Sequence, residues 1–147
     1  MRIIAFDLGS HFAWASNLKG HSWGHIDLEG IRPHRLGKLL TFLQAQVWFK
    51  QADVALYECP FTRGLAASRS LWGTAGVLEA VVSEMGLPVV DANLREIKKF
   101  AAGDGNAPKS AMIVSAKKWG YSGTNDNEAD AICILNYGKK FLERSSS

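Results

Sequence analysis

The chain of 147 residues has only two cysteines and four prolines, and no hydrophobic run approaches the roughly 20 residues of a membrane-spanning helix. Cys59 and Cys133 lie far apart without metal-ligand spacing, so we expect free thiols in a reducing compartment. Asp7 interrupts the apolar residues that follow the first methionine, which argues against a secretory signal. These absences predict a soluble cytoplasmic protein with no membrane partner.

The chain also lacks a large charge of one sign. Seventeen Lys and Arg stand against fourteen Asp and Glu, and a net charge of +3 permits a nucleic-acid partner without requiring one. The balance of 47% hydrophobic and 21% charged residues argues against a disordered chain. We expect one globular domain at residues 1–144 and a disordered tail at 145–147.

Hydrophobic patterning predicts the elements in order. Three short stretches at 2–8, 11–17 and 22–28 predict an antiparallel meander of strands. A helix begins at Pro33 and connects the meander to a fourth strand at 53–58, which this crossover makes parallel to the first strand. The apolar stripe of that helix is Leu36, Leu39, Leu40, Leu43 and Val47.

The second half of the chain predicts more helix than strand. A long helix at 65–85 is followed by a strand at 87–91, a short helix after Asn93, and helices at 108–120 and 125–142. The resulting fold class is α/β: a mixed five-stranded sheet, three antiparallel strands and then parallel ones, with helices on both faces.

Five oxygen-bearing side chains are candidates for one site. Asp7 and Glu58 end strands predicted to be parallel neighbours, so both emerge at the same sheet edge. Asp130 lies early in the last helix, and Asp126 and Asn127 can share its helical face. Two carboxylates about 4 Å apart repel by roughly 4 kcal/mol at an effective dielectric near 20, so a proton or a divalent cation must compensate. Oxygen donors without His or Cys favour Mg²⁺ or Mn²⁺ over zinc.

Each acid taken alone also has an ordinary structural explanation. An Asp before Gly often forms a turn, Glu58 can pair with Arg63, and Asp126 and Glu128 suit a helix N-terminus. The set is harder to explain in this way, because a carboxylate that ends an apolar strand has little structural purpose.

Five segments, in order along most of the chain, carry a family resemblance. They are residues 3–10, 57–61, 71–76, 103–109 and 128–131. Together they resemble the RuvC-type Holliday junction resolvases of the ribonuclease H-like superfamily. The first segment is similar to the family's opening strand with its catalytic aspartate, the second to its second acidic motif, and the last to its Ala-Asp-Ala signature.

The resemblance implies a Mg²⁺-dependent endodeoxyribonuclease that resolves four-way DNA junctions in a bacterial or phage-infected cell. Asp7 would bridge two Mg²⁺ ions, for which Mn²⁺ can substitute, while Glu58 and Asp130 would each hold one. Many family members carry Asp or His three residues before the final Asp, where this chain has Asn127, so the fourth catalytic ligand is either Asn127 or Asp126. Hydrolysis would leave 5′-phosphate and 3′-hydroxyl ends.

Basic residues concentrate between two of the acidic segments. Residues 92–120 hold six Lys and Arg but only two acids. Lys109 lies in a first helical turn, which disfavours a cation unless it faces an anion, and we predict it as the principal phosphate contact. By the resemblance, Phe61 would stack at the junction crossover beside Arg63. The other predicted DNA contacts are Lys98, Lys99, Lys117 and Lys118.

Cutting a nearly two-fold symmetric junction productively needs two symmetric active sites, which a C2 homodimer supplies. We expect its interface on the helix at 65–85, where Trp72, Gly73 and Gly76 permit close approach. The alternative is that this stripe packs on the sheet of its own chain.

Other functions compete with the resolvase. A YqgF-type RNA nuclease shares the size and the opening motif. The opening segment also resembles the phosphate loop of actin and sugar kinases, but that architecture needs two large domains, so we expect no nucleotide cofactor. A non-catalytic module that binds branched DNA stays open because of Asn127.

Overall fold

The computed structural model describes residues 1–60 and 64–145, except for the side chains of 143–145. Five strands form one sheet in the order β3-β2-β1-β4-β5. The strands are β1 Ile3–Asp7, β2 His11–Leu18, β3 His21–Asp27, β4 Val54–Glu58 and β5 Val89–Ala92. The first three form an antiparallel meander, β4 is parallel to β1, and β5 is parallel to β4. The fold class predicted from the sequence is confirmed.

Helices cover both faces of this sheet. They are α1 Arg32–Ala45, α2 Leu65–Glu84, α3 Leu94–Ala102, α4 Lys109–Lys118 and α5 Asp126–Ser145, with a short 3₁₀ helix Val47–Gln51 before β4. One core lies between the sheet and α1 with α2, and it contains Phe6, Phe12 and Phe49. The second core lies between the opposite face and the last three helices.

The register of the two central strands places the predicted acids side by side. Phe6 is paired with Tyr57 in the parallel β1–β4 ladder, so Asp7 and Glu58, the next residues, end their strands at the same level. Ile3 and Ala5 alternate along β1 with the residues of the first core, so they lie on the opposite face of the sheet, toward α5. By the two-residue period of a strand, Asp7 lies on the same face. Asp7 therefore points toward the helix that carries Asp130.

The predicted stripe of α1 is wrong at Leu40, which is 40% exposed, and at its end. Leu39 and Leu43 are buried, but Val47 is 68% exposed because α1 ends at Ala45. Gln46 then leaves helical geometry (φ −87, ψ 66), and the 3.6-residue period does not continue into the 3₁₀ helix.

Helix α2 packs against its own chain and also keeps an exposed face. A Cβ added to Gly73 would lie 3.3 Å from Leu36 Cδ1, so this glycine permits close packing on α1. Trp72 and Gly76 lie on the exposed side. The dimer interface on this helix stays a prediction.

Two further features concern membrane spanning and the C-terminal end of the chain. In the part of the chain that the structure describes, no helix is long and apolar enough to cross a bilayer. Ser145 ends α5, and the remaining residues of the predicted tail, 146–147, lie outside the described residues.

Candidate active site

The three predicted acids line one cleft at the carboxyl edge of the sheet. Asp7 ends β1, Glu58 ends β4, and Asp130 lies in the second turn of α5. All three contribute to the wall of a cleft of about 580 Å³, and Lys98 and Lys109 from α3 and α4 line it too. The fold thus brings together carboxylates that are far apart in the chain.

Asp7 and Asp130 form the centre of this cleft. Each of these carboxyl groups acts on the pKa of the other. Burial, and then repulsion from Asp130 and Glu58, raise the pKa of Asp7 well above its usual range. The N–H of Gly9, 3.2 Å from Asp7 Oδ1, opposes this shift. Two carboxylates held close together and away from water favour binding a proton or a cation, which offsets their repulsion.

Glu58 and Asp130 are perturbed in the same direction. Burial, reinforced by the charge of Asp130, raises the pKa of Glu58 to about 7, while Lys98 and Lys109 oppose the shift. Burial also raises the pKa of Asp130, and Lys109 again opposes it, with its Nζ 3.8 Å from Asp130 Oδ2. Two lysines therefore compensate only part of the negative charge that the three acids carry when ionised.

The donor set fits a hard divalent cation. No three His, Cys, Asp or Glu side chains within the described ranges are close enough to hold one ion by themselves. Mg²⁺ does not need such a cage, since it binds through one or two carboxylates and completes its shell with water and substrate phosphate. The cleft wall offers carboxylates and the amide of Asn127, and its described lining contains neither His nor Cys. A cation here would offset the repulsion between the carboxylates of Asp7 and Asp130.

Of the two alternatives for a fourth ligand, only Asn127 lines the cleft. Its Oδ1 and the Oδ1 of Asp7 each lie 3.6 Å from the position that a Cβ on Gly9 would occupy. Asp126 is exposed and lines a separate depression beside Tyr121. It is still near enough for its charge to raise the pKa of Asp130.

Glu128 is a buried carboxylate whose role the sequence does not reveal. Its side chain is 11% exposed, and each oxygen has a partner: the Tyr121 hydroxyl lies 2.8 Å from Oε1, and His25 Nδ1 lies 2.8 Å from Oε2. The Asn125 N–H donates to the same Tyr121 hydroxyl at 2.8 Å. This network joins β3 and the loop before α5 to the first turn of α5, and so holds the helix that carries Asp130.

The sequence signal near Glu128 is the Asn125–Glu128 spacing, which predicts a capping box. Half of that motif forms, because Asn125 Oδ1 accepts from the N–H groups of Asn127 and Glu128 at 2.9 and 3.0 Å. The carboxylate of Glu128 instead turns toward Tyr121 and His25.

The predicted DNA contacts divide between several surfaces. Lys98 and Lys109 line the cleft, whereas Lys99 lines a depression with Arg95 and Lys117 lines the one that contains Asp126. Lys118 is exposed at the end of α4. The other two predicted contacts, Phe61 and Arg63, lie outside the described residues.

Comparison with known proteins finds similarity in structure only. No protein-family model and no curated protein sequence matches the chain. The chain is similar to RuvC from Thermus thermophilus, with a TM-score of 0.76 and 16% identity over 99% of this chain and 97% of that one.

Two further solved structures share the fold. For T. thermophilus RuvC in complex with a Holliday junction substrate, the TM-score is 0.79 and the identity 17% over 99% and 96% of the two chains. For the yeast mitochondrial Holliday junction resolvase, the TM-score is 0.59 and the identity 16%, over 98% of this chain and 84% of that one. The resemblance of the sequence to RuvC-type resolvases is thus confirmed at the level of the fold: the chain has a RuvC-like, ribonuclease H-like fold.

Proposed function

We propose that the chain is a structure-selective endodeoxyribonuclease that resolves four-way DNA junctions by metal-dependent hydrolysis. The observation that carries this proposal is the cleft in which Asp7, Glu58 and Asp130 converge opposite Lys98 and Lys109. Acids that can hold Mg²⁺ and lysines that can hold a phosphate are the two components that phosphodiester hydrolysis needs. The fold shared with T. thermophilus RuvC, solved with a Holliday junction substrate, supports branched DNA as the ligand.

Asp7, Glu58, Asp130 and Asn127 are the residues that would hold two Mg²⁺ ions, for which Mn²⁺ could substitute. Such a pair of ions supplies an activated water and stabilises the leaving 3′ oxygen. Asp7 would be the central ligand of this set, because the charges of Asp130 and Glu58 both act on it. Products would carry 5′-phosphate and 3′-hydroxyl ends.

The lysines would position the scissile phosphate. Lys109 is exposed at the start of α4, and its ammonium is 3.8 Å from Asp130 Oδ2, so it can pair with a phosphate without leaving the acids. Lys98 lines the same cleft and lowers the pKa of both Glu58 and Asp130. A backbone phosphate would thus be held between lysine ammonium groups and the metal-binding acids.

Two matching cuts require two copies of the site. We include in the proposal a homodimer that uses the exposed face of α2, with Trp72 and Gly76 in the interface, and a location in the cytoplasm of a bacterial or phage-infected cell. The exposure of a tryptophan on a face that includes a glycine supports this surface.

The proposal is tested with a panel of labelled substrates incubated with the protein and Mg²⁺: a synthetic four-way junction, a linear duplex, a flap and an RNA–DNA hybrid. We expect paired nicks in opposite strands of the junction and little cutting of the linear duplex. Equal cutting of the RNA–DNA hybrid would favour a YqgF-type nuclease. Tight junction binding without nicks in Mg²⁺ or Mn²⁺ would favour a non-catalytic binding module.

A further inference from the structure

Four aromatic side chains from three helical segments form a cluster outside the cleft wall. We call it the aromatic platform: Phe100 of α3, Trp119 after α4, and Tyr137 and Phe141 of α5. Phe100 stacks on Trp119, with ring centroids 5.6 Å apart and planes at 9°. The centroids of Tyr137 and Phe141 lie 6.0 and 5.9 Å from that of Phe100, and 4.6 Å from each other.

Packing within the protein accounts for only some of the rings in the aromatic platform. Phe100 and Tyr137 are partly buried, and their contacts connect α3 to α5. Trp119 and Phe141 are 39% and 41% exposed, although both are large apolar side chains. Neighbouring exposed aromatic rings on a protein surface usually mark a place where a ligand or partner binds.

A lysine side chain lies against the aromatic platform. The Lys140 ammonium lies 5.4 Å from the Phe100 ring centroid and 5.9 Å from that of Phe141. Lys118, which is exposed, directly precedes Trp119, whereas Lys117 lines the depression that contains Asp126. The carboxylate of Glu96 also lies here, and its Oε2 accepts a hydrogen bond from the Tyr137 hydroxyl at 2.8 Å.

We propose that the aromatic platform binds an unpaired segment of DNA. Bases would stack on Trp119, and phosphates would pair with Lys118 and Lys140, which is how sequence-independent single-strand binding is built. An acidic or apolar protein partner fits less well, since flat rings with lysine beside them match both the bases and the phosphates of a nucleic acid strand.

The aromatic platform is within reach of a strand that passes through the cleft. Helix α4 begins at Lys109 in the cleft wall and ends at Lys118 beside the platform. Its ten residues span about 15 Å at 1.5 Å per residue. One strand has a phosphate about every 3.4 Å in a duplex and can be more extended when unpaired, so at most about four or five nucleotides separate the two sites.

The test measures binding of a fluorescent oligo(dT) strand by anisotropy, in EDTA so that no strand is cut. Trp119→Ala should weaken binding about fivefold or more, whereas Trp119→Phe, which keeps a stacking ring, should stay near wild type. Lys140→Glu should also weaken binding and reduce its dependence on salt. Lys19→Glu, which changes an exposed lysine elsewhere, is the matched control.

These outcomes separate the aromatic platform from the proposed nuclease activity. Because Lys140 is exposed, its substitution tests the inference even if Trp119→Ala does not fold. The inference would be overturned if Lys140→Glu, and Trp119→Ala where it folds, bound oligo(dT) with the wild-type affinity. This holds whether or not junctions are cut. A change in self-association with unchanged oligo(dT) binding would assign the surface to a protein partner and overturn it too.

Discussion

The ammonium of Lys109 lies 3.8 Å from Oδ2 of Asp130, although Lys109 is the first residue of α4. The dipole of that helix disfavours a cation at this end, so the position needs an anion to compensate. Asp130 supplies one, and the exposed lysine retains capacity for a second anion from solvent. A lysine placed between a half-buried acid and open solvent is suited to guide a phosphate toward that acid.

Lys109→Ala should weaken junction binding and reduce its dependence on salt. If the lysine contacts one phosphate, the slope of log affinity against log salt should fall in magnitude by about 0.9. Anisotropy titrations at several salt concentrations measure this slope, with Lys19→Ala as the control for loss of an exposed lysine. An unchanged slope would remove Lys109 from the DNA interface.

Glu128→Ala should destabilise the fold by about 2–3 kcal/mol, because it leaves Tyr121 and His25 without a buried charged partner. Urea denaturation measures the effect, and Glu29→Ala, which removes an exposed acid, is the control. Glu128→Gln should cost less, since the amide oxygen still accepts from Tyr121. Equal stability of Glu128→Ala and wild type would show that the network does not hold α5.

The metal-free protein should lose stability as pH rises. The pKa of Glu58 is about 7 in the native state against 4.5 as its ordinary value, so between these values the unfolded chain has released the proton that the native state still binds. This shift corresponds to a loss of up to about 3 kcal/mol across that window. The raised pKa values of Asp7 and Asp130 act in the same direction.

Urea denaturation in EDTA across this pH range measures the loss. Glu58→Gln should flatten the dependence, and added Mg²⁺ should restore stability at the upper end because a cation compensates the ionised acids. The raised pKa of Glu58 would be contradicted if the stability of wild type rose with pH in this range. It would also be contradicted if wild type and Glu58→Gln showed the same dependence of stability on pH.

Asn127→Ala should weaken Mn²⁺ binding, and Asn127→Asp should strengthen it by adding a charged oxygen donor to the cleft. Asp126→Asn is the matched control, because Asp126 is exposed and lines a different depression. Isothermal titration calorimetry with Mn²⁺ measures all three. If Asp126→Asn lost affinity while Asn127→Ala kept it, Asp126 would be the fourth ligand.

The strands that carry Asp7 and Glu58 could be predicted because local rules suffice there. Short connections imply the meander, a helical crossover implies parallel pairing, and the ends of parallel strands meet at one edge. The two-residue period of a strand then decides which face each acid occupies. Both strands occur in the structure within a residue or two of the predicted positions.

The Glu128 network could not be predicted, because His25 and Glu128 are 103 residues apart and meet only after β3 and α5 pack. The sequence also could not predict which depression each lysine faces. Lys98 and Lys99 are neighbours, yet they line different depressions, since helix rotation against the sheet decides which one faces the cleft. The exposure of Trp119 depends on the same tertiary packing.

The most direct measurement compares binding and cutting of a four-way junction by wild type, Asp7→Asn and the surface control Glu29→Gln. Asp7→Asn removes one charge from the pair it forms with Asp130 and keeps a side chain of the same shape. We expect it to bind the junction in EDTA at least as tightly as wild type, and to nick it in Mg²⁺ slower by a factor on the order of 10³, while Glu29→Gln behaves like wild type. Nicking by Asp7→Asn at nearly the wild-type rate would contradict a catalytic metal site in this cleft.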